Sequence, residues 1–226
     1  MGDELAEQTQ PEYQRQRLAL EERLLQKPLD TFKPLEEIAW GLGFKNEAEL
    51  IRYLRNKKVL DVGSGFNGLS IGFILKNVPA DITSITLRKN DPRFERFIKE
   101  LVRQEQEYKA YGRANQERAI KQSLQKTHAL FAHSLSLLDD GSFDVVVDNF
   151  AVFQYAREEE VLVLRESLVE ELLVLRKGGK IRIGDYSGSG RYGQGIPNWK
   201  EEILIQARVD YKLINTPQTS GVEITK

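Results

Sequence analysis

Apolar residues along most of the chain fall into short runs that alternate with longer amphipathic stretches. The run Phe143–Val147 is almost continuously apolar, which is typical of a strand covered on both faces of a parallel sheet. The stretch from Glu158 to Lys177 instead places leucines and valines on one helical face, with acidic residues in its first turn and basic residues in its last. Repeats of strand, helix and strand from residue 57 onward predict an α/β fold with a doubly wound sheet.

The same pattern sets the limits of the predicted elements. The predicted strands are Val59–Val62, Ile82–Leu87, Leu130–Ala132, Phe143–Val147, Lys180–Gly184, Val209–Ile214 and Val222–Thr225. The predicted helices are Leu69–Leu75, one long charged helix from about Pro92 to Gln125, Glu158–Lys177 and Trp199–Ala207, and residues 187–197 form a loop rich in glycine and serine. Ligands of such sheets bind outside the carboxyl ends of the strands, so we expect the functional site in the segments that follow them.

The first 56 residues show a different pattern, that of three helices. Residues 1–10 are polar and are predicted to be frayed, and a helix follows from Pro11 to about Gln26. The second helix has Thr31 as its predicted N-cap, and the third has Asn46, with Glu49 as its capping-box partner. We therefore predict an N-terminal helical extension, residues 1–56, that covers a substrate pocket or packs on the main domain, residues 57–226.

Composition narrows the classes of partner. The chain of 226 residues has 33 basic and 34 acidic side chains, and this balance excludes a protein that coats nucleic acid by bulk charge, so an RNA substrate is not favoured. The absence of cysteine excludes disulfides, thiolate metal sites and cysteine nucleophiles. With His128 and His133 as the only two histidines, the sequence predicts no metal site.

No targeting or membrane-spanning segment is apparent in the sequence. The N-terminus is acidic and lacks the apolar core of a secretory signal. The longest uncharged stretch, Val62–Leu75, contains four glycines and is too short to cross a bilayer. We therefore predict a cytoplasmic protein without a membrane partner.

The segment that carries the candidate chemistry begins with the first strand of the main domain. Asp61 near the end of that strand is followed by three glycines, Gly63, Gly65 and Gly68, so a ligand can press against bare backbone. The helix after the loop offers unsatisfied N–H groups. The pattern Gly-x-Gly-x-x-Gly is also the dinucleotide fingerprint, but a carboxylate at Asp61 would repel a pyrophosphate and attract an ammonium group.

Three signatures in order resemble those of class I S-adenosylmethionine-dependent methyltransferases. Asp61, Gly63 and Gly65 match the family's opening Asp-x-Gly-x-Gly, which follows the first strand. The turn Gly141–Asp144, with the sequence Gly-Ser-Phe-Asp, matches the approach to the fourth strand, and Gly178-Gly179 matches the approach to the fifth. The resemblance covers residues 57–226 and is silent on the extension.

The resemblance implies a seven-stranded sheet in the order 3-2-1-4-5-7-6, with the last strand antiparallel. It also implies a site for S-adenosylmethionine. The methionyl end would lie on the glycine loop near Asp61, the ribose at the end of the second strand, and the adenine after the third strand. The cofactor-binding residues implied in this way are Asp61, Gly63, Ser64, Gly65, Asn67, Gly68, Thr86, Leu87, His133, Ser134 and Asp148.

The activity implied is in-line transfer of a methyl group to an unidentified acceptor, which we expect to be a small molecule. The sulfonium of the cofactor activates the leaving group, so the protein mainly aligns the reactants. A base is needed only when the acceptor arrives protonated. His133, Asp148 and Tyr155 lie on the predicted rim and are the candidate catalytic residues.

Two alternatives follow from departures from the family pattern. The spacing Gly65 to Gly68 is one residue longer than usual, Thr86 stands where an acid commonly accepts hydrogen bonds from the ribose, and Ala132 stands where another acid is frequent. One alternative is a catalytically inactive, methyltransferase-like scaffold. The other is an NAD(P)-dependent oxidoreductase, which would explain the glycine spacing but not Asp61.

Overall fold

A mixed seven-stranded sheet lies at the centre of the molecule. In this computed structural model the described residues are 2–26, 33–130, 132–149, 152–185, 198–215 and 220–226. The strands are β1 (Lys58–Val62), β2 (Asp81–Ile85), β3 (Thr127–His128), β4 (Phe143–Asn149), β5 (Leu175–Asp185), β6 (Asp210–Asn215) and β7 (Ser220–Thr225). Their order is β3-β2-β1-β4-β5-β7-β6, and β7 pairs antiparallel with both of its neighbours. The predicted fold class and strand order are confirmed.

Helices cover both faces of the sheet. They are α1 (Gly2–Leu25), α2 (Leu35–Gly41), α3 (Glu47–Leu54), α4 (Gly68–Leu75), α5 (Phe94–Gln104), α6 (Gln106–Lys109), α7 (Arg113–Gln125), α8 (Val152–Tyr155), α9 (Val161–Val174) and α10 (Asn198–Gln206). Two short 3-10 turns, Ala132–Leu137 and Glu158–Glu160, follow β3 and precede α9. No helix in the described part of the chain is long and apolar enough to cross a membrane.

The core divides along the alternating faces of the strands. Val145 and Val147 of β4 belong to a buried cluster with the residues of α2 and α3, whereas Val146 belongs to a cluster with α9 and α10. A third cluster lies between α4, α5 and α7. Since successive side chains of a strand point to opposite faces, Val146 and Asp148 share the face that α9 covers.

The N-terminal segment lies directly on the main sheet layer. Leu35 of α2 lies against α4 so closely that a Cβ added to Gly72 would be 2.4 Å from the Leu35 Cγ atom. A Cβ added to Gly184 in β5 would be 2.3 Å from the carbonyl oxygen of Gly41. Gly72 thus leaves room on α4 for the Leu35 side chain, and Gly184 lets the backbone of α2 approach β5 more closely than a side chain would permit.

Sequence and structure differ at the limits of several elements. The stretch from Pro92 to Gln125, predicted as one helix, forms α5, α6 and α7, because the backbone is extended at Glu105 and has a φ of +69° at Gly112. The predicted third strand at Leu130–Ala132 is wrong, since β3 is Thr127–His128. The helix predicted from Glu158 to Lys177 ends at Val174, because β5 already pairs with β4 at Leu175.

The N-terminal helices also differ in part from their prediction. The first helix, α1, begins at Gly2 and not at Pro11, so the polar residues that were predicted to be frayed are helical. Asn46 caps α3 as predicted, accepting a hydrogen bond from the Glu49 backbone N–H at 3.0 Å. The carboxylate of Glu49 accepts from the Lys45 N–H and not from that of the cap residue. The predicted N-cap Thr31 lies outside the described residues.

A buried guanidinium ties the turn between α2 and α3 to the last strand. Arg182 of β5 donates to the carbonyls of Leu42 (2.7 Å) and Gly43 (3.1 Å) and to the carboxylate of Glu223 (3.1 Å). Its guanidinium also lies 4.4 Å from the centre of the Phe44 ring. The charge of Arg182 is thus balanced inside the protein. Removing the guanidinium leaves the buried carboxylate of Glu223 with fewer positively charged partners.

We expect Arg182→Met to lower the free energy of unfolding by about 3–5 kcal/mol, since it breaks a buried ion pair and leaves two carbonyls unbonded. Lys212→Met is the matched control, because Lys212 contacts the same carboxylate at 2.9 Å from an exposed position. The control should cost less than about 1 kcal/mol. Urea unfolding followed by circular dichroism measures both; equal losses would show that Arg182 is not a central tie.

Candidate functional site

The carboxyl ends of β1, β2 and β4 meet at one rim of the sheet. In register, Val62 of β1 pairs with Ile85 of β2 on one side and with Asp148 of β4 on the other. The backbone N–H of Ser64, just past β1, donates to the Ile85 carbonyl at 3.0 Å. The loop after β1 is therefore attached to the end of β2, and the ends of the three strands border one candidate crevice.

The loop after β1 owes its shape to three residues with left-handed backbone. The φ angles are +68° at Gly63, +54° at Gly65 and +59° at Asn67. Glycine adopts such angles without strain, and asparagine is among the few other residues that tolerate them. The sequence pattern that predicted bare backbone therefore corresponds to a turn that side chains at positions 63 and 65 would strain.

Hydrogen bonds between polar side chains attach this loop to the end of α7 and the start of β3. The Asn67 amide donates to the hydroxyl oxygens of Ser123 (3.1 Å) and Thr127 (2.7 Å), and the Ser64 hydroxyl lies 3.0 Å from the Asn67 Oδ1 atom. The side chains of Ser64 and Asn67 are thus used within the protein. Their predicted role in cofactor binding stays a prediction. The sequence analysis missed Ser123 and Thr127. The signal that could have pointed to them is the four-residue spacing of two hydroxyl side chains across the end of α7 and the start of β3.

The extra residue of the loop points away from the crevice. Phe66 is buried between α4 and α5, and its ring stacks on that of Phe94 with 5.8 Å between centroids. The longer glycine spacing thus places an aromatic side chain in the core. The bend itself is not covered by Phe66.

Asp61 is the most unusual group at the rim. It is 1 % exposed, and its Oδ1 atom has no hydrogen-bond partner among the residues that the structure describes. Burial, and secondarily the charge of Asp148, raise the pKa of Asp61 to about 8. The carboxyl group is therefore neutral at pH 7 and has an acceptor atom available for a cation or a hydrogen-bond donor.

Two further buried carboxyl groups lie on the α9 side of the sheet. Asp148 accepts a hydrogen bond from the backbone N–H of Phe153 at 3.4 Å. Glu171 of α9 is 2 % exposed, and its Oε2 atom has no hydrogen-bond partner within the described chain. Burial and the nearby Asp148 raise the pKa of Glu171 well above its usual value. The sequence signal for Glu171 is an acid in line with the buried Leu164 and Leu168 of α9, and our sequence analysis missed it.

The end of β2 supplies Thr86 and Leu87. Thr86 is buried, its N–H donates to the His128 carbonyl at 3.0 Å, and its hydroxyl oxygen accepts from the Arg88 N–H at 3.3 Å. Leu87 is half-buried against the cluster that faces α9. Both lie at the rim as predicted, one and two residues past the strand.

No protein-family model matches the sequence, and no curated protein resembles it in sequence. Solved structures do resemble the fold. The 1,6-didemethyltoxoflavin-N1-methyltransferase of Burkholderia thailandensis superimposes with a TM-score of 0.50 at 15% identity, covering 85% of this chain and 79% of that chain. The protein has the fold of class I S-adenosylmethionine-dependent methyltransferases.

Two other structures of this kind are similar. A TehB-like methyltransferase of Corynebacterium glutamicum gives a TM-score of 0.49 at 19% identity, covering 79% of this chain and 86% of that chain. A methyltransferase of Archaeoglobus fulgidus gives 0.47 at 12% identity, with coverages of 79% and 90%. The identity of 15% to the Burkholderia thailandensis protein shows the fold alone and leaves the subfamily unassigned.

The remaining predicted site residues are placed unevenly on the methyltransferase fold. Ser134 is half-buried in the 3-10 turn after β3, and the side chain of His133 lies outside the described residues. Tyr155 ends α8 and is half-buried, and burial raises the pKa of its phenol. Tyr155 thus keeps its proton at neutral pH. The predicted loop at residues 187–197 also lies outside the description.

The described side chains do not form a metal site. No group of three or more histidine, aspartate and glutamate residues with the geometry to hold a metal ion occurs in the described ranges. The three buried carboxyl groups, Asp61, Asp148 and Glu171, can each hold a proton or pair with a cationic group of a ligand.

The raised pKa of Asp61 predicts how stability depends on pH. Between its ordinary value of 3.8 and about 8, the folded protein keeps a proton that the unfolded chain loses, so stability falls as the pH rises through this range. Asp61→Asn cannot ionise and should flatten that fall, becoming the more stable protein near pH 7. Chemical unfolding at pH 5, 6, 7 and 8 measures the slopes.

The matched control is Asp81→Asn, at the exposed start of β2, where Asp81 pairs with Lys126. This substitution should leave the pH slope unchanged. Parallel slopes for wild type and Asp61→Asn would mean that the buried Asp61 carboxyl group is ionised in the folded protein.

Proposed function

We propose that this protein is an S-adenosylmethionine-dependent methyltransferase that acts on a small-molecule acceptor. The observation that carries the proposal is the buried, unbonded Oδ1 atom of Asp61 beside the left-handed loop of Gly63 and Gly65. A neutral acid with an unbonded buried oxygen costs folding free energy. An ammonium group would recover part of this cost by pairing with the carboxylate, whose proton is released to the solvent. This site fits a ligand that has an ammonium group on a methionyl chain.

The fold supports the same cofactor. The Burkholderia thailandensis structure was solved with S-adenosylhomocysteine and 1,6-didemethyltoxoflavin, a small-molecule substrate of that enzyme. On the present chain, the corresponding rim would hold the methionyl end with Asp61 and the loop backbone of Gly63 and Gly65. Thr86 and Leu87 would hold the ribose side, and Ser134 and His133 the adenine side.

S-Adenosylmethionine supplies an activated methyl group on a positively charged sulfur, so the residues of this chain bind, orient and exclude water. Holding two reactants in line lowers the barrier by about 7–11 kcal/mol. Asp148 lies at the end of β4, next to Val62 of β1, where its carboxylate is the proposed acceptor of a proton from the substrate. Tyr155, which keeps its proton, is proposed to orient the acceptor by donating a hydrogen bond. His133 stays a candidate base.

The division of the chain is part of the proposal. We take residues 57–226 as the methyltransferase domain and residues 1–56 as an extension that covers its crevice. Leu20 and Leu35 of the extension are fully buried in the two clusters that line the sheet, which supports packing on the domain. Near-neutral overall charge favours a small-molecule acceptor over RNA.

One observation favours an inactive scaffold as the second candidate. Thr86 offers a single hydroxyl where a carboxylate would accept two charge-assisted bonds, and this hydroxyl already accepts from the Arg88 N–H. The oxidoreductase alternative has less support, because the buried Asp61 disfavours a pyrophosphate. Calorimetry separates the three functions.

We expect the full-length protein to bind S-adenosylmethionine and S-adenosylhomocysteine, and not NADH or NADPH, in calorimetric titrations. Gly63→Val should abolish binding, since a β-branched residue is strained at a φ of +68°. Asp61→Asn should weaken both ligands equally if Asp61 holds their shared ammonium group, and the sulfonium ligand alone if it faces the sulfur. Asp81→Asn is the control. Binding of nicotinamides alone would support the oxidoreductase, and silence toward all four ligands the scaffold.

Cofactor affinity should also rise with pH. Because the pKa of Asp61 is about 8 in the empty site, ammonium binding must release its proton, and affinity should increase about tenfold per pH unit below that value. Titrations at pH 6 and 7 in two buffers of different ionisation enthalpy measure both affinity and released protons. Asp61→Asn should show neither effect, and a pH-independent wild type would remove Asp61 from the site.

A further inference from the structure

Helix α1 lies across the rim that contains the candidate site. Leu20 is 0 % exposed and belongs to the same cluster as Val62 and Ile85, the last residues of β1 and β2. Tyr13 and Leu24 pack against the same cluster. The C-terminal half of α1 therefore covers the ends of the strands from which the crevice is built.

An ion pair fastens α1 to the β4 side of the crevice. The guanidinium of Arg23 donates to both carboxylate oxygens of Glu160, at 2.6 and 2.5 Å, and to the carbonyl of Tyr155 at 2.9 Å. Glu160 is buried, and its carboxylate also accepts from the Arg157 N–H. A buried bidentate pair of this kind is strong, and removing its cation leaves an uncompensated charge.

A second arginine fastens the end of α1 to the β2 side. Arg88 donates to the carbonyls of Leu24 (3.1 Å) and Leu25 (3.4 Å), which are among the last carbonyls of the helix and have no partner within it. Arg88 is two residues past Thr86, the residue proposed to face the ribose. The two arginines thus hold α1 on opposite sides of the same crevice.

The rim groups assigned to the cofactor are buried although the proposed function requires a ligand to reach them. Asp61, Thr86 and Asp148 are all buried. Leu20 is the one fully buried leucine of α1 in the described chain, while Leu18 and Leu25 are exposed, so the arginine contacts supply much of the attachment of this helix. Elements with few buried apolar contacts open at low free-energy cost.

We propose that α1 is a lid that opens to admit the cofactor and is held closed by Arg23–Glu160 on one side and by Arg88 on the other. The identity of the ligand rests on the proposed methyltransferase function, and the opening of the helix does not. Arg23 is a positioning residue in this proposal, because it acts through the lid and contacts no ligand.

Hydrogen exchange measured by mass spectrometry tests the lid without any ligand. In Arg23→Ala, exchange in residues 10–26 should accelerate about tenfold or more, while α9 keeps its wild-type protection. Arg17→Ala is the matched control, because Arg17 pairs with Glu21 inside the same helix at 2.9 Å and removes the same charge. Equal exchange in the two variants, or an equal acceleration in α9, would overturn the proposal.

A cross-link tests the lid in a protein whose closing contacts are intact. Leu25 and Arg93 line one groove between α1 and the segment after β2, and the chain has no cysteine of its own. In Leu25→Cys/Arg93→Cys, joining the thiols with a short bismaleimide should slow S-adenosylhomocysteine association and dissociation at least tenfold in stopped-flow measurements. The same variant before cross-linking is the control, and unchanged rates would overturn the lid.

The two proposals fail in different ways. If the wild type binds no S-adenosylhomocysteine, the methyltransferase function is lost and hydrogen exchange alone decides the lid. If the ligand binds and exchanges freely through the cross-linked cover, the function stands and the lid is wrong.

Discussion

The arrangement of the rim depends on carboxyl groups that are buried without a cation of their own. Asp61 and Glu171 each have a buried oxygen that no described residue satisfies, and Asp148 lies between their elements. In a low-dielectric interior such groups keep their protons, so the fold tolerates them as neutral acids. A protein selected only for stability would replace them, and their presence supports the proposed site for a positively charged ligand.

The rigidity needed for that recognition comes from a different part of the chain. The loop after β1 is shaped by glycines, yet its position is fixed by Asn67, whose amide bonds to the end of α7 and the start of β3. Phe66 anchors the same loop in the α4–α5 core. The longer glycine spacing therefore gives a longer turn in which both residues between the glycines, Phe66 and Asn67, anchor the loop to the rest of the protein.

The order of the strands could be predicted because the resemblance that implies it depends on short local motifs. Apolar runs mark the strands, and Asp61, Gly63 and Gly65 are adjacent in sequence. The limits of elements were predicted wrongly where pairing with a distant strand overrides local preference. The sequence signals end the helix at Lys177, but Leu175 already pairs with Phe143 of β4. Glu171 has only the signal of an acid in line with buried leucines, and Arg23 has none, since the partners of both come near only in the folded chain.

The link between Arg182, the Leu42 and Gly43 carbonyls and Glu223 joins residues from the beginning, middle and end of the chain. Its partners lie about 40 and 140 positions away in sequence, so no contiguous fragment that omits either end can satisfy the guanidinium. The turn between α2 and α3 is consequently linked to β7 through β5. A chain shortened at either end would leave the Arg182 guanidinium inside the sheet without some of its partners, and we expect it to be less stable.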